Sequence, residues 1–223
     1  MNLGASMKSY AIAIKSCHKH AERRQAQIDT WLRDFDGEYF FLVGKPCQPA
    51  RGITVPWCNT LWCPVSDAFA DIAPKVWHAC KHALEENITN LFICDDDTYV
   101  RPDRLLKSGF QNADYIGWVR PTWMRNGIEY NEPYIQGSAV WLSERAMAHV
   151  VESKVMVPGV IDDGALGRAL AGKVFLTHDS RYYPGPVAPL ITENNNLISS
   201  HKMLPEQMRS AHRQWLLSQS GRQ

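Results

Sequence analysis

No stretch of this 223-residue chain approaches the roughly 18 to 20 consecutive apolar residues needed to cross a bilayer. The charged start, long apolar run and small-residue cleavage site of an export signal are missing as well. A soluble, unexported, cytoplasmic chain is therefore expected. Charge of one sign is also lacking: 24 Lys plus Arg stand against 23 Asp plus Glu, a formal net charge of +1. Such a chain has no bulk electrostatic reason to seek nucleic acid or acidic lipid, so any basic surface has to be local. Cysteine is sparse, with six in the sequence. Cys58 and Cys63 lack the spacing of a zinc knuckle, while Cys17 and Cys94 sit beside apolar runs where reduced thiols are commonly buried. Reduced, intracellular chemistry is expected, and Asn87-Ile88-Thr89 would be a glycosylation sequon only in a secreted chain. Repeats and low-complexity linkers are absent, so one domain over 1–223 is expected.

What is present alternates. "SYAIAIK" (Ser9 to Lys15) reads as a β-branched first strand, and a polar loop leads to a helix over Ala21 to Leu32. "EYFFLVG" (Glu38 to Gly44) is a buried strand, Ala73 to Asn87 an amphipathic helix, and "NLFICD" a third strand. Further strands are expected in "DYIGWV", "SAVWLS" and "KVFLTH". A Ser-capped helix is expected in "SERAMAHVVES", and a short one in "DDGALGRALAG", closed by Gly172. Strands alternating with helices make an α/β sheet. From Tyr182 to Pro189 the chain is rich in Pro and Gly, and "LPEQMRSAHRQWLLSQ" reads as a terminal helix.

The strand "NLFIC" runs straight into Asp95, Asp96 and Asp97. The carboxyl edge of an open α/β sheet is where ligands bind, and three adjacent carboxylates repel one another unless a positive charge lies among them. On an extended segment Asp95 and Asp97 face the same side, with Asp96 directed toward a neighbour's backbone. Two hard oxygen ligands on one side suit Mg²⁺ or Mn²⁺. A turn or helix-capping role for the triplet is the plain alternative.

"FICDDDTYVRPDRLL", "AIKSCHKHAERRQAQIDTW", "YIQGSAVWLSERAM" and "VIDDGALGRAL" together resemble the fringe and β-1,3-galactosyltransferase-like glycosyltransferases, over about residues 8–203, with 204–223 as a helical tail. The resemblance implies a single nucleotide-sugar-binding domain of the GT-A type, with a mixed central sheet flanked by helices. It also implies a divalent metal, a UDP-sugar donor and inversion at the anomeric carbon. It puts a metal ligand on Asp97, and puts Asp95 and Asp96 toward the donor. Arg23, eight residues before Trp31, would hold a diphosphate, and Lys75 would lie near the donor. The acidic pair falls on Asp162 and Asp163, with Asp163 as the general base. His201 in "LISSHKM" would complete the metal site, with His178 competing for that role. Gly137, Asp162 and Trp123 would lie on the acceptor side.

Where that family places an acid after the second strand, this chain has "LVGKPCQ". The expected acceptor is a glycan or a hydroxymethylated base of phage-type DNA. For the latter, His18, Lys19, His20, Arg24, Arg120, Arg125, Arg209, Arg213 and Trp215 are the candidate contacts. A two-metal phosphohydrolase or nuclease built on Asp95, Asp97 and Asp163, or a carbohydrate-binding module using the acids for Ca²⁺, are the other readings.

Overall fold

The structure is a computed structural model, and it describes residues 10–45, 59–121, 123–125, 128–130, 132–185 and 196–220. Ser9, Cys47, Cys58 and the second half of the Pro/Gly-rich stretch lie outside the described residues. The first half runs β1 (Tyr10–Lys15), α1 (Ala21–Asp29), β2 (Glu38–Gly44), β3 (Thr60–Cys63), α2 (Ile72–Glu85), β4 (Asn90–Asp95), β5 (Tyr99–Val100) and α3 (Pro102–Leu105). The second half runs β6 (Tyr115–Arg120), β7 (Trp123–Arg125), β8 (Ile128–Tyr130), β9 (Tyr134–Ser143), α4 (Glu144–Glu152), α5 (Asp162–Leu170), β10 (Leu176–His178), β11 (Tyr182–Tyr183), β12 (Ser199–Ser200) and α6 (Pro205–Ser220).

Seven strands form the central sheet in the order β10-β6-β9-β4-β1-β2-β3. β3, β2, β1 and β4 are parallel neighbours, β9 runs antiparallel to β4 and β6, and β10 is parallel to β6. This is the mixed α/β sheet expected from the sequence. Period-two alternation divides each strand between two buried layers. Ala11, Ala13, Leu91 and Ile93 face the helices α2, α4 and α5. Ile12, Ile14, Phe92 and Cys94 face α1, α6 and a small sheet of order β11-β12-β5. In that second layer Trp141, fully buried, stacks on Phe110 at 3.9 Å with the rings 6° from parallel. Each fully buried aromatic of this kind stabilises the fold by roughly 1.5 to 3 kcal/mol.

Several boundaries shift for local reasons. α1 stops at Asp29 because the Thr30 hydroxyl folds back onto the Ala26 carbonyl at 2.6 Å. Ser143 caps α4 as expected, accepting from the Ala146 amide at 3.2 Å. The strand expected over "KVFLTH" is only three residues long, since residues 173–175 belong to the turn after Gly172, whose φ is +67°, and Phe175 is exposed. β3 joins the sheet edge although its four residues carry too little pattern to be read alone. Among the described residues, Cys17, Cys63, Cys80 and Cys94 are free thiols, and no helix is long and apolar enough to cross a membrane.

Candidate active site

β1 and β4 are register neighbours, so Lys15 and Asp95 end side by side at the carboxyl edge of the sheet. The Lys15 ammonium lies 2.9 Å from an Asp95 carboxylate oxygen and 2.5 Å from Asp162 at the start of α5. Lys15 and Asp162 are buried, while Asp95 is partly open to the cavity. Burial alone would pull the Lys15 pKa down, but the Asp162 and Asp95 carboxylates outweigh it and hold the ammonium well above the ordinary lysine value. Asp95 titrates above the usual carboxylate range because it is partly buried, with Asp162 and Asp97 adding to the rise and Lys15 and His201 opposing it. Sequence reasoning missed Lys15, since a lone lysine closing a strand carries no signal of the two acids it will meet.

The strand ends at Asp95, and Asp96 and Asp97 lie in the turn closed by the bond from the Thr98 amide to the Asp95 carbonyl. The two outer acids converge through this turn rather than through an extended pleat. Asp96 does not reach a neighbour's backbone as expected. Its carboxylate accepts from the Ser16 hydroxyl at 2.7 Å and Arg23 at 3.1 Å, and lies 2.8 Å from His20 Nδ1, because the loop after β1 and the start of α1 bring those donors over the turn. Arg23 also reaches Asp97, at 3.3 Å.

His201 arrives from the far end of the chain. β12 pairs antiparallel with β5, and the Met203 amide donates to the Asp97 carbonyl at 2.9 Å, so the residue between them is pinned over the acids. Its Nδ1 lies 3.0 Å from Asp97 and 3.7 Å from Asp95. Lys202, next in sequence, sits at φ +60°, a left-handed backbone uncommon for a side-chain-bearing residue and frequent at functional sites. One ligand atom each from Asp95, Asp97 and His201 falls within 4.8 Å of the others, a spacing that could hold one metal ion. Burial raises the Asp97 pKa, but the hydrogen bond and charge of His201 and the charge of Arg23 outweigh it and leave the carboxyl below its usual range. His178 stands apart from this cluster, its Nδ1 accepting from the Val119 amide.

These residues form one side of a cavity of about 440 Å³, a size suited to a small organic ligand. Asp67, Phe69 and Ile72 line the opposite side, with the Phe69 ring 67% exposed at the rim. Asp67 lies beside the end of β2, where the sequence itself carries no acid. It comes from the loop after β3 and accepts from the Gly44 amide at 2.6 Å, the His18 amide at 2.6 Å and Lys75 Nζ at 2.6 Å. Burial pushes its pKa up, but these three donors more than reverse that. Lys75 is itself buried and also donates to the Ser16 carbonyl at 3.0 Å, so its charge acts through Asp67.

Neither Asp162 nor Asp163 caps α5; both occupy its first turn. Asp163 accepts from the Gly164 amide at 2.8 Å and from the Gly137 amide. Burial, then the adjacent Asp162, push its pKa up to about 6, against the pull of Lys15 and the two amides. Gly137 sits in a tight space: a Cβ there would lie 3.0 Å from both Asp162 Oδ2 and Lys15 Nζ and 3.4 Å from Asp163 Cβ. Gly137→Ala is expected to destabilise the fold by about 1 to 3 kcal/mol, the usual cost of over-packing. Urea denaturation checks this, and an alanine variant as stable as the parent would mean that the lysine–aspartate contact yields freely.

Of the other residues singled out in the sequence, Trp123 lies on β7, which pairs with β8. Of the basic candidates for DNA contact, Arg24 is buried against Ser16 and the Cys17 carbonyl, Arg209 reaches Asp29, and Arg120 holds Gln136, while Lys19 and Arg213 are exposed.

A profile described as Fringe-like matches residues 5–125, which include Arg23, Lys75 and the acid triplet. No curated protein matches the chain by sequence. Among solved structures, the chain is similar to a glycosyltransferase involved in the glycosylation of the major capsid of PBCV-1, at 11% identity, 91% of this chain and 98% of that one, with a TM-score of 0.50. It is also similar to HddC from Yersinia pseudotuberculosis, at 8% identity, 92% of this chain and 99% of that one, with a TM-score of 0.50. At such identities the likeness is one of fold.

Proposed function

This chain belongs to the Fringe-like family and is a glycosyltransferase of the GT-A fold, and we propose that it moves a sugar from a UDP-sugar to a glycan hydroxyl with inversion, using Mn²⁺ or Mg²⁺. The observation that carries the reading is the meeting, at one sheet edge, of an ion-sized Asp95–Asp97–His201 cluster, a cavity of about 440 Å³ and a carboxylate whose pKa is pushed up to about 6. Two carboxylates and one imidazole are a hard, mainly oxygen donor set that suits either ion. A divalent ion held there would neutralise charge on the departing diphosphate.

The remaining steps fall to the chain's own groups. Arg23 binds the diphosphate, and Asp67 with Phe69 bounds the nucleoside end of the cavity. Asp163 takes the acceptor hydroxyl proton as that oxygen bonds to the anomeric carbon. The bond from that carbon to the diphosphate oxygen breaks on the opposite face, with its electron pair leaving on the diphosphate. Lys15 holds the Asp95 and Asp162 carboxylates together at the base of the site, 2.9 Å and 2.5 Å from its ammonium. A glycan is favoured over a DNA base because the chain's formal net charge is only +1 and two of the candidate cations, Arg24 and Arg209, are turned to partners within the chain.

Thermal unfolding with a panel of nucleotide sugars, in Mn²⁺ and in chelator, tests the reading. A donor at about 100 times its Kd should add roughly 2.7 kcal/mol in the presence of metal. Asp97→Ala should abolish that gain. A parent that gains nothing from any nucleotide sugar, or an Asp97→Ala variant that gains as much as the parent, would defeat it.

A further inference from the structure

The β6–β9 ladder slips where Gly137 meets the carboxylates. Gly117 pairs with Val140 and Val119 with Ile135, so Trp118 alone faces residues 136–139. Slips of this kind re-aim side chains and recur beside active sites. The half-buried Trp118 ring has His178 edge-on at 5.4 Å and 70°, and Tyr183 edge-on at 5.8 Å and 84°.

Backbone fixes the two flanking rings. His178 Nδ1 accepts from the Val119 amide at 3.1 Å, which puts the proton of the neutral imidazole on Nε2 and makes the exposed ring a donor toward solvent. Tyr183 stands in register with Ser200, the residue before His201, and its ring fills the space that a Cβ on Gly185 would need, at 2.5 Å. Gln136, inside the slip, is held by Arg120 at 2.8 Å. By register the cluster is thus tied to the strand that leads into His201, and it stands opposite the segment in which Gly137 meets Asp162 and Asp163.

We infer that Trp118, His178 and Tyr183 form the acceptor subsite, and that its ligand is a pyranose ring. The C–H face of the sugar lies on the indole, and its hydroxyls meet His178 Nε2–H and the Gln136 amide. A flat apolar face edged with fixed polar groups matches a ligand that is itself apolar on one face and hydroxylated at the rim. A nucleotide would also want cations for its phosphate, and Arg181, in the turn before β11, is engaged by Asp179. The inference rests on the glycosyltransferase reading above for its placement on the acceptor side.

Saturation-transfer NMR of the full chain with a panel of methyl hexopyranosides, and with a 5-hydroxymethylcytosine oligonucleotide, tests it, followed by transfer kinetics with any saccharide that binds. Trp118→Ala and His178→Phe are each expected to raise the saccharide KM by about tenfold, with kcat changed little and the donor-induced thermal shift unchanged. His178 is exposed, so the phenylalanine variant, which keeps a ring and removes the donor, decides the matter if Trp118→Ala misfolds. Equal saccharide binding by the parent and His178→Phe, binding of the oligonucleotide alone, or no binding of any pyranoside would overturn the inference. Saccharide binding weakened by both substitutions in a chain that shows no donor shift would keep the platform and sink the donor reading.

Discussion

Asp163→Asn is expected to lower transfer by roughly a hundred- to ten-thousandfold, the range a positioned proton acceptor contributes, while the donor-induced thermal shift persists. Asparagine keeps the shape and can still accept from the Gly164 and Gly137 amides, but it cannot take a proton. In the parent, kcat/KM should climb as pH rises through about 6, where Asp163 ionises, and the variant should lose that limb. Stability should move the other way. The folded-state pKa of Asp163 is raised above its unfolded value, so its contribution is fully present at acid pH and is lost as pH rises through about 6. Asp163→Asn removes the cost of holding a charge beside Asp162. It should therefore be more stable than the parent at pH 8, by on the order of 1 kcal/mol, and no more stable at pH 4. Transfer rates and urea midpoints at the two pH values measure both halves. Near-parental transfer at pH 8 would remove Asp163 from the chemistry.

That pairing of lost activity with gained stability marks a residue kept for chemistry, and such residues were also the ones most legible in the sequence. The acid triplet could be read because an apolar strand running into three like charges breaks the pattern of its own element. The helix that Asp162 and Asp163 open could be read from its residues, but the roles of these two acids, like those of Arg23 and His201, came only through the family resemblance. The sheet was legible wherever both faces of a strand are buried, as in "YAIAIK" and "NLFICD", since both then become continuous apolar runs. The two-residue strands β5, β11 and β12 carry no periodicity to detect, yet they are what lay His201 over Asp97. Asp67 was hidden for a related reason: it serves the end of β2 from the loop after β3, a neighbour in space that depends on strand order. Lys15 and Trp118 were hidden because their roles depend on partners well over 15 residues away.

The hidden residue with the largest expected effect is Lys15. Lys15→Met should destabilise the fold by about 3 to 5 kcal/mol at neutral pH, the usual consequence of removing one partner from a buried charge pair. The methionine fills the space, so the loss comes from Asp162 and Asp95, left facing each other without a cation. Because the folded-state pKa of Lys15 is raised, its contribution in the parent is whole at and below neutral pH, and it fades only in strong alkali. The deficit of the variant should instead depend on the acids. It should shrink as pH falls and the carboxyls take up protons, since a neutral carboxyl does not need the ammonium. Lys15→Met combined with Asp162→Asn should recover part of the loss even at pH 8, because the oxygen 2.5 Å from the ammonium is then no longer charged. Chemical denaturation of the single and double variants across pH separates this from simple packing damage. A deficit independent of pH and untouched by the second substitution would mean that Lys15 fills space rather than balancing the acids beneath the site.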